Sequence, residues 1–192
     1  MKDVIRLVDG AGSGVRADAQ RNREHILQVA HDAFGESGTT SLNEIAKRAG
    51  VGPGTLYRHF PTREALILAV YRRDVQRLVD SVDDLLRTHA PLDAFRVWFH
   101  TLADYVRVKH GLGEALHNAA VQDAINETYA PVVTAVGHLI DACAADGSLR
   151  SDLDPADVLL LMGFLWRAAD GPEGKNQARR IMNLVVEGLL AH

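Results

Sequence analysis

Cysteine is nearly absent from the 192 residues. Cys143 stands alone, so neither an intrachain disulfide nor a cysteine-based zinc cage can form. Long hydrophobic runs are also missing. The longest, Val158 to Trp166, holds nine residues between Asp157 and Arg167, against the roughly 20 a helix needs to cross a bilayer. Asp3 and Asp9 interrupt the stretch where a secretion signal would need an apolar core. The sequence therefore reads as a cytoplasmic chain with no membrane partner. No segment alternates apolar and polar residues over five positions, and no Val/Ile/Thr cluster is bounded by turn dipeptides, which argues against sheets. Catalytic spacings are missing too: there is no Gly-x-Ser-x-Gly elbow and no phosphate-binding glycine loop. The nine histidines include no His-x3-His or His-Glu-x2-His pair, and Gly111 and Gly113 separate His110 from His117. Cys143, in the stretch DACAAD, has no nearby base and reads as a buried structural thiol. No enzyme, metal site or cofactor is expected.

What is present suits a folded chain. Hydrophobic residues make up 47% and charged residues 24%, and a chain of this length buries roughly 70% of its unfolded surface without staples. The net charge of -4 is unevenly spread. Residues 1–77 hold twelve Lys/Arg against nine Asp/Glu, net +3, and residues 78–192 hold nine against sixteen, net -7. The first part can approach a polyanion that the second would repel.

Periodicity of three and four predicts helices throughout. Residues 1–15 are Gly/Ser-rich toward their end and read as a mobile arm. A helix is expected from Asp18, carrying Ile26, Leu27, Ala30, Ala33 and Phe34 and ending at Gly35 to Gly38. In Ser41-Leu42-Asn43-Glu44 the serine hydroxyl and the glutamate carboxylate can each accept a backbone N–H, a capping box for a helix over 42–49. Gly50 allows a left-handed turn, Gly52-Pro53 opens a second short helix to Phe60, and Pro61 stops it. Thr62 caps a long helix to about Thr88, and Pro91 opens another that Gly111 and Gly113 break. A short segment is expected over 114–120, then a helix over 123–145 that Pro131 should kink or split. Asp154-Pro155 starts a run over 157–169, and a last helix spans 176–191. The fold class is all-α.

Two short helices joined by a glycine-containing turn meet the helix-turn-helix requirement, with Ile45, Ala46, Ala49, Val51 and Leu56 available to pack them. The second would lie in a major groove of double-stranded DNA. Tyr57, His59 and Thr55 can donate to phosphates, Arg58 and Arg63 add charge-assisted bonds, and the helix start at Thr62 to Glu64 is an anion site. Arg16, Arg21 and Arg23 can add phosphate or minor-groove contacts, or can stand on a solvated helix start.

From about Arg21 to Leu78, the phrases ILQVAHDAFGESGTTSLNEIAKRAGV and GTLYRHFPTREAL resemble the TetR family of bacterial transcriptional regulators. Farther on, the likeness rests on length, helix count and the phrase GSLRSDLDPADV. The resemblance implies that Asn43, Pro53, Gly54 and Thr55 face bases while Ser41, Tyr57, His59 and Arg63 hold phosphates. Gly52-Pro53-Gly54 departs from relatives that carry polar residues there, which shifts base reading to Asn43, Arg58, the Thr55 methyl and DNA shape.

The resemblance further implies an N-terminal DNA-binding domain over 16–62 and a helical bundle for ligand binding and dimerisation over 63–192. The bundle's aromatic residues suit a pocket for an unidentified small-molecule effector. Trp98, Phe99, Leu102, Tyr105, Phe164 and Trp166 would line it, with His117, Asn118 and Tyr129 as polar contacts; the alternative is that the same aromatic stripe is plain core. Leu159, Met162 and Leu165, together with the stripe Ile181, Leu184, Val185 and Leu189, would pair two copies into a homodimer. The expected function is a ligand-responsive repressor on a palindromic operator. The alternative is a small-molecule binding protein with a vestigial helix-turn-helix, and Asn43→Ala separates the two.

Overall fold

A computed structural model describes residues 9–37, 39–110, 119–166 and 171–191. Eight α-helices account for most of them: α1 (Asp9–Glu36), α2 (Leu42–Arg48), α3 (Pro53–His59), α4 (Arg63–Thr88), α5 (Pro91–His110), α6 (Ala119–Ala145), α7 (Pro155–Leu161) and α8 (Gly171–Leu189). A 3-10 turn over Met162–Trp166 follows α7. Among the described residues the one β contact is a bridge between Leu149 and Leu190, so the all-α class holds. None of the described helices is long and apolar enough to cross a membrane. The chain divides into two compact units, Met1–Val70 and Tyr71–His192, and the division falls inside α4.

Unit 1 is built on the predicted apolar spacing. Ile26, Leu27, Ala30, Ala33 and Phe34 of α1 are buried, as are Ile45 and Ala46 of α2, Leu56 of α3, Phe60, and Leu66, Ile67 and Val70 of α4. Buried Thr40 donates its hydroxyl toward the carbonyls of Ser37 and Ala33, which ties the chain beyond α1 back to that helix. The capping box forms only half. Ser41 Oγ accepts from the Glu44 N–H at 3.2 Å, but the Glu44 carboxylate accepts from Arg48 Nε at 3.0 Å instead of reaching back to the serine. Thr62 Oγ1 caps α4 by accepting from the Ala65 N–H at 3.1 Å.

Unit 2 encloses Phe95, Trp98 and Phe99 of α5 completely, with Leu78 and Val82 of α4, Val136, Leu139, Ile140 and Cys143 of α6, and Met182 and Val186 of α8. Phe95 and Trp98 each pack on Phe99, at ring-centroid distances of 4.6 and 5.1 Å, the latter edge to face. Trp98 Nε1 donates to the Leu78 carbonyl at 2.9 Å, so its polar atom enters the core with a partner. Burial pushes the Cys143 thiol up to about 11, where it is inert as a nucleophile at neutral pH. Tyr71 and Thr128 share a hydrogen bond of 2.8 Å, and Arg72 pairs with Glu127, which joins the unit-2 part of α4 to α6.

Several helix limits differ from expectation. α1 begins at Asp9, so residues 9–15 are helical where an arm was expected; residues 1–8 lie outside the described part. α6 runs unbroken through Pro131, which is exposed; the carbonyl that proline leaves without a helical donor can then bond to water. The segment expected over 114–120 lies outside the described residues up to 118, and its last two belong to α6. The run over 157–169 is divided at Met162, where α7 tightens into the 3-10 turn. α8 starts five residues early, because Pro172 tolerates the first helical turn and Gly171, at φ +88°, turns the chain into it.

Gly50 also has a positive φ, +65°, and this left-handed residue closes α2 before α3 begins. A Cβ there meets no neighbouring atom, so strain comes from the backbone alone. Gly50→Ala is expected to cost about 1–2 kcal/mol, read as an earlier unfolding midpoint in urea. An unchanged midpoint would mean that the turn relaxes without cost.

Candidate nucleic-acid interface

α3 has seven residues, too few to stand alone in water. It is held because α2 packs against α1 on one side and α3 on the other, while Leu56 and the following Phe60 are buried. With those two positions committed inward, the remaining side chains of α3 are free to face outward. Pro53, Gly54, Tyr57 and Arg58 are exposed, and Thr55 and His59 are half-buried. Ser41 and Asn43 are exposed at the start of α2, and Arg63 is half-buried at the start of α4. All nine sequence-derived candidates thus belong to unit 1, on α2, α3 and the chain that flanks them. Lys47, exposed one turn after Asn43 on α2, was not among them; the spacing of four residues was the available signal.

The chemistry of each group is distinct. Ser41 Oγ uses a lone pair as helix cap, which leaves its O–H free to donate to a phosphate oxygen. Asn43 carries the donor and acceptor pair that matches an adenine edge. Tyr57 offers a phenol and Arg58 a guanidinium, both exposed. Arg48 differs: it spans Glu36 at 2.6 Å and Glu44 at 3.0 Å, and the Glu36 hydrogen bond is the largest cause that raises its pKa. It works as a clamp between α1 and α2.

Two cations stack on aromatic rings at the edge of the unit-1 core. The Arg23 guanidinium lies 5.3 Å from the Phe60 ring centroid and that of Arg63 lies 5.2 Å from Phe34. Arg23 therefore braces the residue that ends α3. The anion site expected at the start of α4 is already charged, since Glu64 stands in the first turn. Its carboxyl is held low by its own backbone N–H and then by Thr62, so it is ionised at neutral pH and would repel a phosphate there.

The candidate effector residues fall into three groups. Trp98 and Phe99 are fully buried core. Leu102, Tyr105 and Phe164 are partly buried against that core, and Tyr129 is 50% exposed. His117 and Asn118 lie outside the described residues, and the side chain of Trp166 is not described. Among the described residues no three His, Cys, Asp or Glu side chains are grouped to hold a metal ion.

The candidate pairing residues also divide. Met162 and Leu189 are buried inside unit 2. Leu159, Ile181 and Val185 are partly buried, Leu184 is 66% exposed, and the side chain of Leu165 is not described. α8 turns Gly174, Ala178, Met182, Val186 and Leu189 inward, a stripe that shares only Leu189 with the one expected to pair two copies. Leu160 and Leu161 of α7, 77% and 52% exposed, were missed because the apolar run around them read as uniform.

Comparison with known proteins gives this arrangement its context. Residues 26–70 match the family model described as bacterial regulatory proteins of the tetR family, and residues 90–191 match the C-terminal domain of SbtR-like transcriptional regulators. A TetR transcriptional regulator from Streptomyces coelicolor is 39% identical, covering 88% of this chain and 98% of its own, with a TM-score of 0.78. A TetR transcription regulatory protein from Mycobacterium vanbaalenii is 34% identical over 92% of this chain and 99% of its own, with a TM-score of 0.75. An HTH-type transcriptional regulator of Staphylococcus aureus is 46% identical over 63 residues, 32% of this chain and 34% of its own. The chain thus spans about a third of the length of the curated relatives it matches. With a helix-turn-helix DNA-binding unit and a helical C-terminal unit both matched, the chain belongs to the TetR family of transcriptional regulators.

Proposed function

We propose that this regulator is a repressor that binds a palindromic operator as a homodimer and is released by a small-molecule effector. The observation that carries the proposal is the division of labour in α3. Leu56 alone of its residues is buried, and the others present polar or minimal side chains outward beside Asn43. A twofold pair would offer two such helices to successive major grooves, about 34 Å apart. The roles follow from the side chains. Asn43, Pro53, Gly54 and Thr55 face bases; Ser41, Tyr57, His59 and Arg63 hold phosphates; and Arg58 adds charge at the groove edge.

The exposed leucines support pairing. Leu160, Leu161 and Leu184 are large apolar side chains left in water by the single chain, and a second copy laid on α7 and α8 would remove them from it. The effector would be a largely apolar molecule bound in unit 2, against Leu102, Tyr105, Tyr129 and Phe164, with Trp98 and Phe99 as the wall behind them and His117, Asn118 and Trp166 as further contacts. To release DNA it must favour one conformation over the other: each tenfold loss of operator affinity needs about 1.4 kcal/mol of coupling.

Two variants test these assignments. Asn43→Ala is expected to relax base preference at one position of each half-site by about 1–3 kcal/mol, measured as the spread of affinities over a set of single-base operator variants. Arg58→Ala should weaken all duplexes alike and flatten the salt dependence by about one charge. An unchanged spread with Asn43→Ala would favour a binding protein whose helix-turn-helix is vestigial. For pairing, Leu184→Glu is expected to convert the dimer to monomers in sedimentation and to weaken operator binding. A dimer that survives that change would place the pairing surface elsewhere.

A further inference from the structure

Gly52 and Gly54 flank Pro53 where α3 begins, and nothing among the described residues requires glycine at either position. Neither has a positive φ, in contrast to Gly50 two residues earlier. A Cβ built on Gly52 or Gly54 meets no atom within 4 Å. Gly52 is the N-cap of α3, at φ -65° and ψ 145°, and gives no side-chain cap bond where serine or aspartate would. Gly54 lies inside the helix, where glycine is a poor helix former. Both glycines therefore lower local stability and leave space open on an exposed surface that belongs to the DNA-binding unit.

The surface they leave is short of hydrogen-bonding groups. Gly52, Pro53 and Gly54 have no side-chain donor or acceptor, and Pro53 lacks a backbone N–H. Apolar groups remain: the Cα hydrogens of two glycines, the exposed Pro53 ring, and the methyl of half-buried Thr55. In the major groove the base feature that such a surface recognises is the C5-methyl of thymine, which other bases lack.

We infer that the bare Gly52–Gly54 backbone lets α3 approach the bases closely enough for a thymine methyl in each half-site to pack against it, Pro53 and Thr55. This deepens the reading of α3 as the base-facing helix and rests on it. Base identity at that position is then set by shape and apolar contact, while Asn43 supplies the polar readout elsewhere.

The test uses the full-length protein and an operator selected from a random-sequence duplex pool. Each thymine is replaced in turn by uracil, which removes only the methyl, and affinities are measured for the wild type and for Gly54→Ala. At one thymine per half-site, uracil is expected to weaken wild-type binding about three- to tenfold. Gly54→Ala should weaken binding at least tenfold and no longer distinguish thymine from uracil there. Its melting temperature should stay level or rise, which separates the loss from misfolding; Gly52→Ser, which supplies the missing cap, provides a second variant of intact stability with reduced affinity. Uracil tolerated at every position, with the operator still preferred over a scrambled duplex, would overturn the thymine assignment alone. Wild-type affinity in both variants would overturn the close approach. Failure of the selection to yield any preferred duplex would instead overturn the DNA-reading proposal beneath it.

Discussion

A helix of seven residues has no stability of its own, and everything unit 1 can do depends on how α3 is held. Nucleation consumes more conformational freedom than two turns of backbone hydrogen bonds return. The deficit is met by Leu56 and Phe60, both buried among side chains of a unit whose core residues come from four helices. Because so few positions of α3 are required inside, the others can be chosen for contact with DNA. The same economy explains the tight joint at Gly50: a longer turn would let α3 drift relative to α2.

Unit 2 is stabilised differently. Its centre is a cluster of large rings on α5, around which α4, α6 and α8 place aliphatic side chains, and the single indole N–H in it is satisfied by a backbone carbonyl. The ring cluster itself is apolar, and the buried charge of unit 2 is gathered on α4, where Arg73 pairs with Asp74 at 2.9 Å. Residues 78–192 hold sixteen Asp/Glu against nine Lys/Arg, and that acidic excess would disfavour contact with a polyanion. The exposed leucines of α7 and α8 are the exception, and the proposed pairing rests on them.

Much of this was legible in the sequence. The apolar spacing of α1, the Ser41 cap, the Gly50 turn, the Thr62 cap and the Asp154-Pro155 start all follow from local rules that act within a few residues. So did the family, since the phrase from Ser41 to Arg63 fixes turn, packing and polar face together. What local rules missed is tertiary. Glu44 turns to Arg48 because Glu36, brought alongside by folding, makes that arginine the centre of an acidic pair. On α8 Leu184, expected to pair two copies, is exposed, whereas the core contacts come from Met182 and Val186, which are less conspicuous in sequence. The early start of α8 was legible in principle from Gly171-Pro172, since proline suits a first helical turn.

The central claim is that unit 1 reads base sequence. Fluorescence anisotropy of the purified chain, against the intergenic duplex beside its own gene and a scrambled duplex of equal length, tests it at several salt concentrations. The account expects a preference of about a thousandfold for the native duplex, with a salt slope that reports several phosphate contacts. Equal binding to both duplexes, vanishing together as salt rises, would contradict it and leave only the attraction of a basic surface for a polyanion.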